Sequence, residues 1–153
     1  MIEYKTGDIF DTNCDCIVNA VNSVGSMGAG LAKTFMDKYP VPCIDWNKIY
    51  NPSLLEFPKF YSSSVWKVNK DIIMFPSKIH WRNPSTISYI ETSLIRTMWL
   101  IRDNDIKSIA FPAVGSGLGG LNWDDVKDLF EHYFTDEAML ELGLDKIEVY
   151  LPQ

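Results

Sequence analysis

Two short apolar segments each run without a break into a loop of small residues, and each loop opens into a helical pattern. The first is Asp15-Cys16-Ile17-Val18-Asn19-Ala20-Val21, followed by Asn22, Ser23 and Gly25. The second is Ser108-Ile109-Ala110-Phe111-Pro112, followed by Gly115-Ser116-Gly117-Leu118-Gly119-Gly120. Apolar runs of this length read as buried strands, and strands that alternate with helices make an α/β sandwich around a largely parallel sheet. In such a sheet ligands settle at the carboxyl ends of the strands, where both of these loops lie.

The remaining pattern fits the same class. Strands are expected at 2–5, 59–67, 71–75 and 146–151. Leu31, Phe35 and Met36 predict a helix over 28–39 that Pro40 stops, and 42–50 adds a short helix. Trp81–Ser85 is a loop punctuated by Asn83-Pro84. Ser85 is the expected cap of a helix reaching Arg102, with Ile87, Ile90, Leu94, Met98 and Ile101 as its buried stripe. Asn122 caps the last helix, whose core face is Trp123, Val126, Phe130 and Phe134. At 153 residues, with no repeat or linker, the expectation is one domain over 1–153.

Composition narrows the chemistry. Hydrophobic residues are 46% and charged residues 22%, which rules out a disordered chain. Fourteen Lys and Arg against twenty Asp and Glu give a net charge of −6, which argues against gripping a long nucleic-acid duplex but not against a local phosphate site. Cys14, Cys16 and Cys43 are odd in number, which disfavours a disulfide scaffold and fits a reducing compartment. His80 and His132 are not at ligand spacing from them, so no metal or cofactor is expected. With no signal peptide and no stretch of 18 apolar residues, the expectation is a cytoplasmic monomer with no membrane contact.

Glycine-rich turns can point successive N–H groups at an anion, and a helix N-terminus adds partial positive charge. An acidic protein can hold a phosphate this way without a basic side chain. Gly115-x-Gly117-x-x-Gly120 matches the dinucleotide fingerprint literally, but it lies late in the chain and the next strand does not end in an acid. Lys33-Thr34 lacks the preceding glycine of a P-loop. Either glycine loop alone could be a tight turn; two of them, each from strand to helix, weaken that alternative.

Four motifs in order resemble the macro domain, an ADP-ribose-binding fold. They are Gly7-Asp8-Ile9, Ile17-Val18-Asn19-Ala20-Val21-Asn22, Met27-Gly28-Ala29-Gly30-Leu31-Ala32, and Pro112-Ala113-Val114-Gly115-Ser116-Gly117-Leu118-Gly119-Gly120-Leu121. The resemblance covers nearly the whole chain. Phe75-Pro76-Ser77-Lys78-Ile79-His80-Trp81-Arg82 and Leu121-Asn122-Trp123 look most like the macro domains of DNA ADP-ribosyl glycohydrolase antitoxins, and more distantly like the terminal ADP-ribose protein glycohydrolase.

The resemblance implies a three-layer α/β/α sandwich with a mixed, largely parallel central sheet. It also implies roles. Asp8 would accept from the adenine amino group and the Ile9 N–H would meet the ring. Asn19 and Asn22 would belong to the ligand site, with Asn22 near the distal ribose. Met27, Gly28, Ala29 and Gly30, with Val114, Gly115, Ser116, Gly117, Leu118 and Gly119, would wrap the diphosphate and distal ribose. Lys78 matches the catalytic lysine. The terminal glycohydrolase carries an aspartate where this chain has Gly119, whereas the antitoxin type has glycine there, so the mechanism leans to the second.

Other uses of these residues stay open. Asp8 could cap a turn, Asn19 and Asn22 could satisfy loop backbone, and Lys78 could be a solvated surface lysine. Lysine attacks carbon only when its pKa falls, and Arg82 and Trp81 could supply the cation and the desolvation. His80 could orient a water or simply pack, and Tyr150 could border the adenine.

The expected function is removal of ADP-ribose from a modified macromolecule, a DNA base or a protein side chain, using a lysine. The alternatives are an ADP-ribose 1″-phosphate phosphatase and a non-catalytic ADP-ribose reader. The expected partner is ADP-ribose or an ADP-ribosylated macromolecule. ADP-ribosylated single-stranded DNA would need only local cations such as Lys67, Lys70, Lys78 and Arg82.

Overall fold

Five parallel strands and one antiparallel edge strand form a single sheet in the computed structural model, which describes residues 1–22, 30–39, 43, 46, 58–61, 70–78, 84–117 and 119–152. The strands are β1 (Ile2–Lys5), β2 (Cys16–Asn22), β3 (Lys59–Tyr61), β4 (Asp71–Lys78), β5 (Ser108–Phe111) and β6 (Lys146–Tyr150). Their order across the sheet is β1-β6-β5-β2-β4-β3, and only β3 runs against its neighbour β4. The described helices are α1 (Gly30–Lys38), α2 (Ile87–Asp103), α3 (Trp123–Tyr133) and α4 (Asp136–Leu142).

Strand side chains alternate between two faces, and each face has its own core. Cys16, Val18, Ile73, Phe75, Ile109, Phe111, Ile147 and Val149 pack with Ile90, Leu94 and Ile101 of α2, Val126 and Phe130 of α3, and Met139 of α4. Ile17, Val21, Ile72, Met74 and Ala110 face the other way, against Phe35 of α1, Cys43, Trp46 and Ile9. The sandwich therefore has three layers, with a mixed and largely parallel sheet in the middle, as expected. Sequential parallel strands need crossovers, which places helices on both faces.

All three cysteines are free and buried. Burial pushes the Cys43 thiol up to about 12 and holds Cys14 and Cys16 above the ordinary thiol value, so these thiols stay protonated and unreactive. Among the described residues no helix is long and apolar enough to cross a membrane.

The structure corrects three sequence expectations. Strand β4 runs to Lys78 rather than ending at residue 75, so Lys78 is the last residue of a strand and not part of the following loop. Thr86, not Ser85, caps α2: its hydroxyl accepts the Tyr89 N–H at 3.2 Å. The last helical pattern is two helices, because Phe134 ends α3 and Thr135 caps α4 through the Ala138 N–H. The apolar stripe hides this break, since Phe134 and Met139 enter the same core. Trp123 packs against that core as expected, edge-on to Tyr4. Apart from Cys43 and Trp46, the expected helix over 42–50 lies outside the described residues, as does most of the strand over 59–67.

Candidate functional site

Strands β1, β6, β5, β2 and β4 are mutually parallel, so their carboxyl ends lie along one edge of the sheet. That edge receives the segment after β1 with Asp8 and Ile9, Asn22 at the end of β2, Lys78 at the end of β4, the glycine loop after β5, and Tyr150 at the end of β6. Residues up to 143 positions apart in sequence, from Gly7 to Tyr150, meet there only because of the strand order.

The β2–β4 ladder changes register just before this edge. Val21 pairs with Pro76, and the next pair is Asn22 with Lys78. Ser77 is the extra residue, a bulge of the kind that re-aims a strand end. It is buried, and its hydroxyl donates to the Val21 carbonyl at 3.3 Å. The Ser93 hydroxyl of α2 donates to the Pro76 carbonyl at 2.7 Å, which fixes the bulge from the helical layer. The bulge is what makes Lys78 the register partner of Asn22.

The loop after β5 is tightly folded. The N–H groups of Val114, Ser116, Gly120 and Leu121 donate to Pro112, Ala113, Gly117 and Gly115 carbonyls at 2.8, 3.1, 3.2 and 2.9 Å. Among the described residues the intervening N–H groups of Gly115, Gly117 and Gly119 donate to no protein acceptor. Gly115 and Gly119 are nonetheless buried. Backbone N–H groups gathered in such a turn can receive a series of anionic acceptors. The helix behind it adds little positive field, because Asp124 and Asp125 occupy the first turn of α3.

Glycine is required in this loop for two separate reasons. Gly115 has φ 76°, and a Cβ there would meet Leu121 Cδ1 at 2.8 Å. A Cβ on Gly119 would lie 2.4 Å from Ser85 Oγ and 2.5 Å from the Gly115 carbonyl oxygen. Ser85 was expected as a helix cap; instead its N–H donates to the Gly119 carbonyl at 3.0 Å and ties the loop to the start of α2. Its hydroxyl is buried without a partner. No sequence signal separated Ser85 from its neighbour Thr86 for this role.

Asp8 performs the turn role that was left open for it. It precedes a 3-10 turn over Ile9–Asp11, and its Oδ1 accepts the Phe10 N–H at 2.9 Å. A carboxylate has about four acceptor positions, so this bond leaves capacity for a ligand. The Ile9 side chain is buried in the second core and anchors the turn. Asn19 lies deeper than the edge. It is fully buried, its amide N–H donates to Met74 Sδ at 3.4 Å, and its Oδ1 has no partner. Val114 and Ser116 sit in the glycine loop, with Ser116 Oγ buried and unpartnered. Met27, Gly28, Ala29, Leu118, His80, Trp81 and Arg82 lie outside the described residues. No group of three His, Cys, Asp or Glu able to hold a metal ion occurs among the described residues.

Glu148 carries no sequence signal of its own. It is fully buried, with carboxylate oxygens 2.8 Å from Lys5 Nζ and 3.0 Å from Lys146 Nζ. The Thr12 hydroxyl donates to it, and so does the Tyr150 hydroxyl at 3.3 Å. Burial raises its pKa, but hydrogen bonds from Lys5, Thr12 and Lys146 outweigh that and bring it down to about 2.

The model of the family described as Macro domain matches residues 18–130. A DNA ADP-ribosyl glycohydrolase of Mycobacterium tuberculosis is 38% identical over 129 residues, covering 83% of this chain and 37% of that protein. The chain thus spans well under half the length of such curated relatives. The solved macrodomain of Mycobacterium tuberculosis DarG superposes with a TM-score of 0.86 at 33% identity, over 100% of this chain and 99% of that one. Thermosipho africanus DarTG, solved in complex with ADP-ribose, gives 0.83 at 31% identity, over 99% of this chain and 41% of that one.

Proposed function

Because this chain belongs to the macro domain family, we propose that it binds ADP-ribose and removes it from a modified macromolecule, with an ADP-ribosylated DNA base as the leading substrate. The observation that carries the binding half is the loop after β5, where among the described residues the Gly115, Gly117 and Gly119 N–H groups have no protein acceptor, at the edge shared by Asn22 and Lys78. A diphosphate supplies acceptors in series, and charge-assisted bonds to it are each about 1.5–3 kcal/mol. Asp8 and Ile9, at the β1 end of the same edge, would take the adenine, and Asn22, paired with Lys78, would lie by the distal ribose. Met27–Gly30 would close over the diphosphate from the β2 side. The substrate proposal rests on the relatives, which are named DNA ADP-ribosyl glycohydrolases.

Lys78 would supply the chemistry. Its neutral amine attacks C1″ of the distal ribose, the bond from C1″ to the base breaks, and the base leaves with one amine proton. The ribose ring then opens, its oxygen takes the second amine proton, and an imine joins Lys78 to C1″. Water adds to the imine, the amine departs, and the released aldehyde recloses as free ADP-ribose. The role of Asn22 would be to fix the ribose hydroxyls against this attack.

Release of ADP-ribose from a modified single-stranded oligonucleotide, from modified protein and from ADP-ribose 1″-phosphate, measured side by side, tests the proposal. Turnover is expected on the oligonucleotide. Turnover only on the 1″-phosphate would make the protein a phosphatase, and binding without turnover would make it a reader. No binding of ADP-ribose at millimolar concentration would end the reading altogether.

A further inference from the structure

The ten residues between β1 and β2 carry Asp8 and Ile9, and one buried carboxylate holds both ends of that span. Lys5, the last residue of β1, ion-pairs with Glu148 at 2.8 Å where the segment leaves the sheet. Thr12, where the 3-10 turn closes, donates its hydroxyl to the same carboxylate. The Thr12 N–H donates to the Ile9 carbonyl at 3.1 Å, so Thr12 is the closing residue of the turn that Asp8 opens. Its hydroxyl oxygen also accepts the Cys14 N–H at 3.1 Å, which turns the chain toward β2. Glu148 is held in turn by Lys146 on its own strand and by Tyr150 at the edge.

A buried carboxylate is costly unless it is paired; here Oε2 has the two lysine ion pairs and Oε1 the two hydroxyl donors. The pattern links the strand-end residues Lys5 and Tyr150, and Glu148 in the middle of β6, to the turn that presents Asp8. From this geometry we infer that Glu148, acting through Thr12, is a positioning residue for base recognition: it sets where Asp8 meets the nucleobase and so determines preference for adenine. The inference rests on the ADP-ribose reading above and adds residues to which no role was assigned there.

The Asp8 carboxylate would accept from the amino group of adenine. In the hypoxanthine analogue of ADP-ribose a carbonyl oxygen replaces that amino group, so the exocyclic position offers the carboxylate no donor and the only donor on that edge is the displaced N1–H. The experiment compares affinity for ADP-ribose and for this analogue in the wild type, Thr12→Val and Thr12→Ser, with melting temperatures measured alongside. Wild type is expected to prefer ADP-ribose by about tenfold or more. Thr12→Val removes the hydroxyl at nearly constant shape, and the preference should fall to within about threefold of unity because the turn is no longer pinned. Thr12→Ser keeps the hydroxyl and should keep the preference. Should Thr12→Val not fold, Glu148→Asp, which draws the carboxylate back by one methylene, is expected to lose the preference in the same way.

A lower melting temperature with the preference intact in the variant would show a merely structural clasp and overturn the inference. So would a wild type that binds both nucleotides equally well. Wild type binding neither nucleotide would instead overturn the ADP-ribose reading, and this inference with it.

Discussion

Ser85 Oγ lies 2.4 Å from the point where a Cβ on Gly119 would stand. The Gly115 carbonyl oxygen and carbon would lie 2.5 and 2.9 Å from the same point, and unlike the Ser85 hydroxyl they cannot rotate away, so glycine at 119 is a packing requirement set by the loop's own backbone as well as by the start of α2. The aspartate that the terminal glycohydrolase carries here would collide with Ser85 and with the Gly115 carbonyl. The first prediction follows. Gly119→Asp and Gly119→Ala should both push the loop off α2, at about 1–3 kcal/mol for forced overpacking. At this chain length each kcal/mol lowers the melting temperature by roughly 2–4 °C. ADP-ribose binding should weaken in parallel, and Gly119→Asp should not raise turnover. Thermal melts and calorimetry on the two variants check this. An Asp variant with wild-type stability would mean that the Gly115 carbonyl shifts as well as Ser85, and would remove the packing requirement.

Asp8 is expected to serve the turn and the ligand at once, and two variants separate these uses. Asp8→Asn keeps an oxygen for the Phe10 N–H and should leave the melting temperature close to wild type. It removes the charge, so ADP-ribose affinity should fall about ten- to a hundredfold. Asp8→Ala should lose the same affinity and also about 0.5–2 kcal/mol of stability with the cap. Calorimetric affinity and melts, read together, decide the point; unchanged affinity in both variants would leave Asp8 as a turn residue alone.

Lys78→Ala should abolish release of ADP-ribose while the affinity for free ADP-ribose changes by less than about threefold, since a nucleophile contributes in the transition state. Lys78→Arg should also be inactive, because a guanidinium stays protonated. Borohydride should trap an ADP-ribose adduct on the wild type, visible by mass spectrometry, and none on Lys78→Ala. Turnover at the wild-type rate in Lys78→Ala would end the lysine proposal.

Glu148 predicts an acid limb in the stability curve. Its folded pKa of about 2 lies below the ordinary value of 4.5, so the unfolded chain binds its proton more tightly. The stabilisation is fully present above pH 4.5 and is lost as pH falls toward 2. A shift of that size is on the order of 3 kcal/mol. Denaturant titrations at pH 6, 4 and 2.5 should show this loss in the wild type, and Glu148→Gln should be less stable at pH 6 with a flatter slope below pH 4.5. Parallel slopes would assign the acid limb to other carboxylates.

The Ser93–Pro76 bond predicts a local effect with a functional reading. Ser93→Ala leaves a buried carbonyl without its donor, which costs about 1–3 kcal/mol. If the bulge at Ser77 sets the pairing of Lys78 with Asn22, turnover should fall more than ADP-ribose affinity does. Melts, calorimetry and initial rates on this variant check the expectation.

The sequence alone determined the class of the fold, the identity of most elements, and the two strand-to-helix loops that make the candidate site. Apolar runs of strand length, helical stripes such as Ile90, Leu94 and Ile101, and glycine clusters are local signals, and local sterics and burial fix what they mean. The tertiary structure decided what depends on contacts between distant segments. The strand order gathers the ends of β1, β2, β4, β5 and β6 on one edge. The bulge at Ser77 pairs Lys78 with Asn22, and it falls at the polar end of β4, where Ser77 and Lys78 offer no apolar alternation to mark it. Ser85 and Thr86 are both good cap residues; in the fold the cap falls to Thr86, while the Ser85 N–H is tied to the Gly119 carbonyl. Glu148 reads as an ordinary charged residue in a short strand. It becomes a buried clasp because Lys5 and Thr12, 143 and 136 positions away, fold onto it, and pairing across such distances is a property of the folded chain.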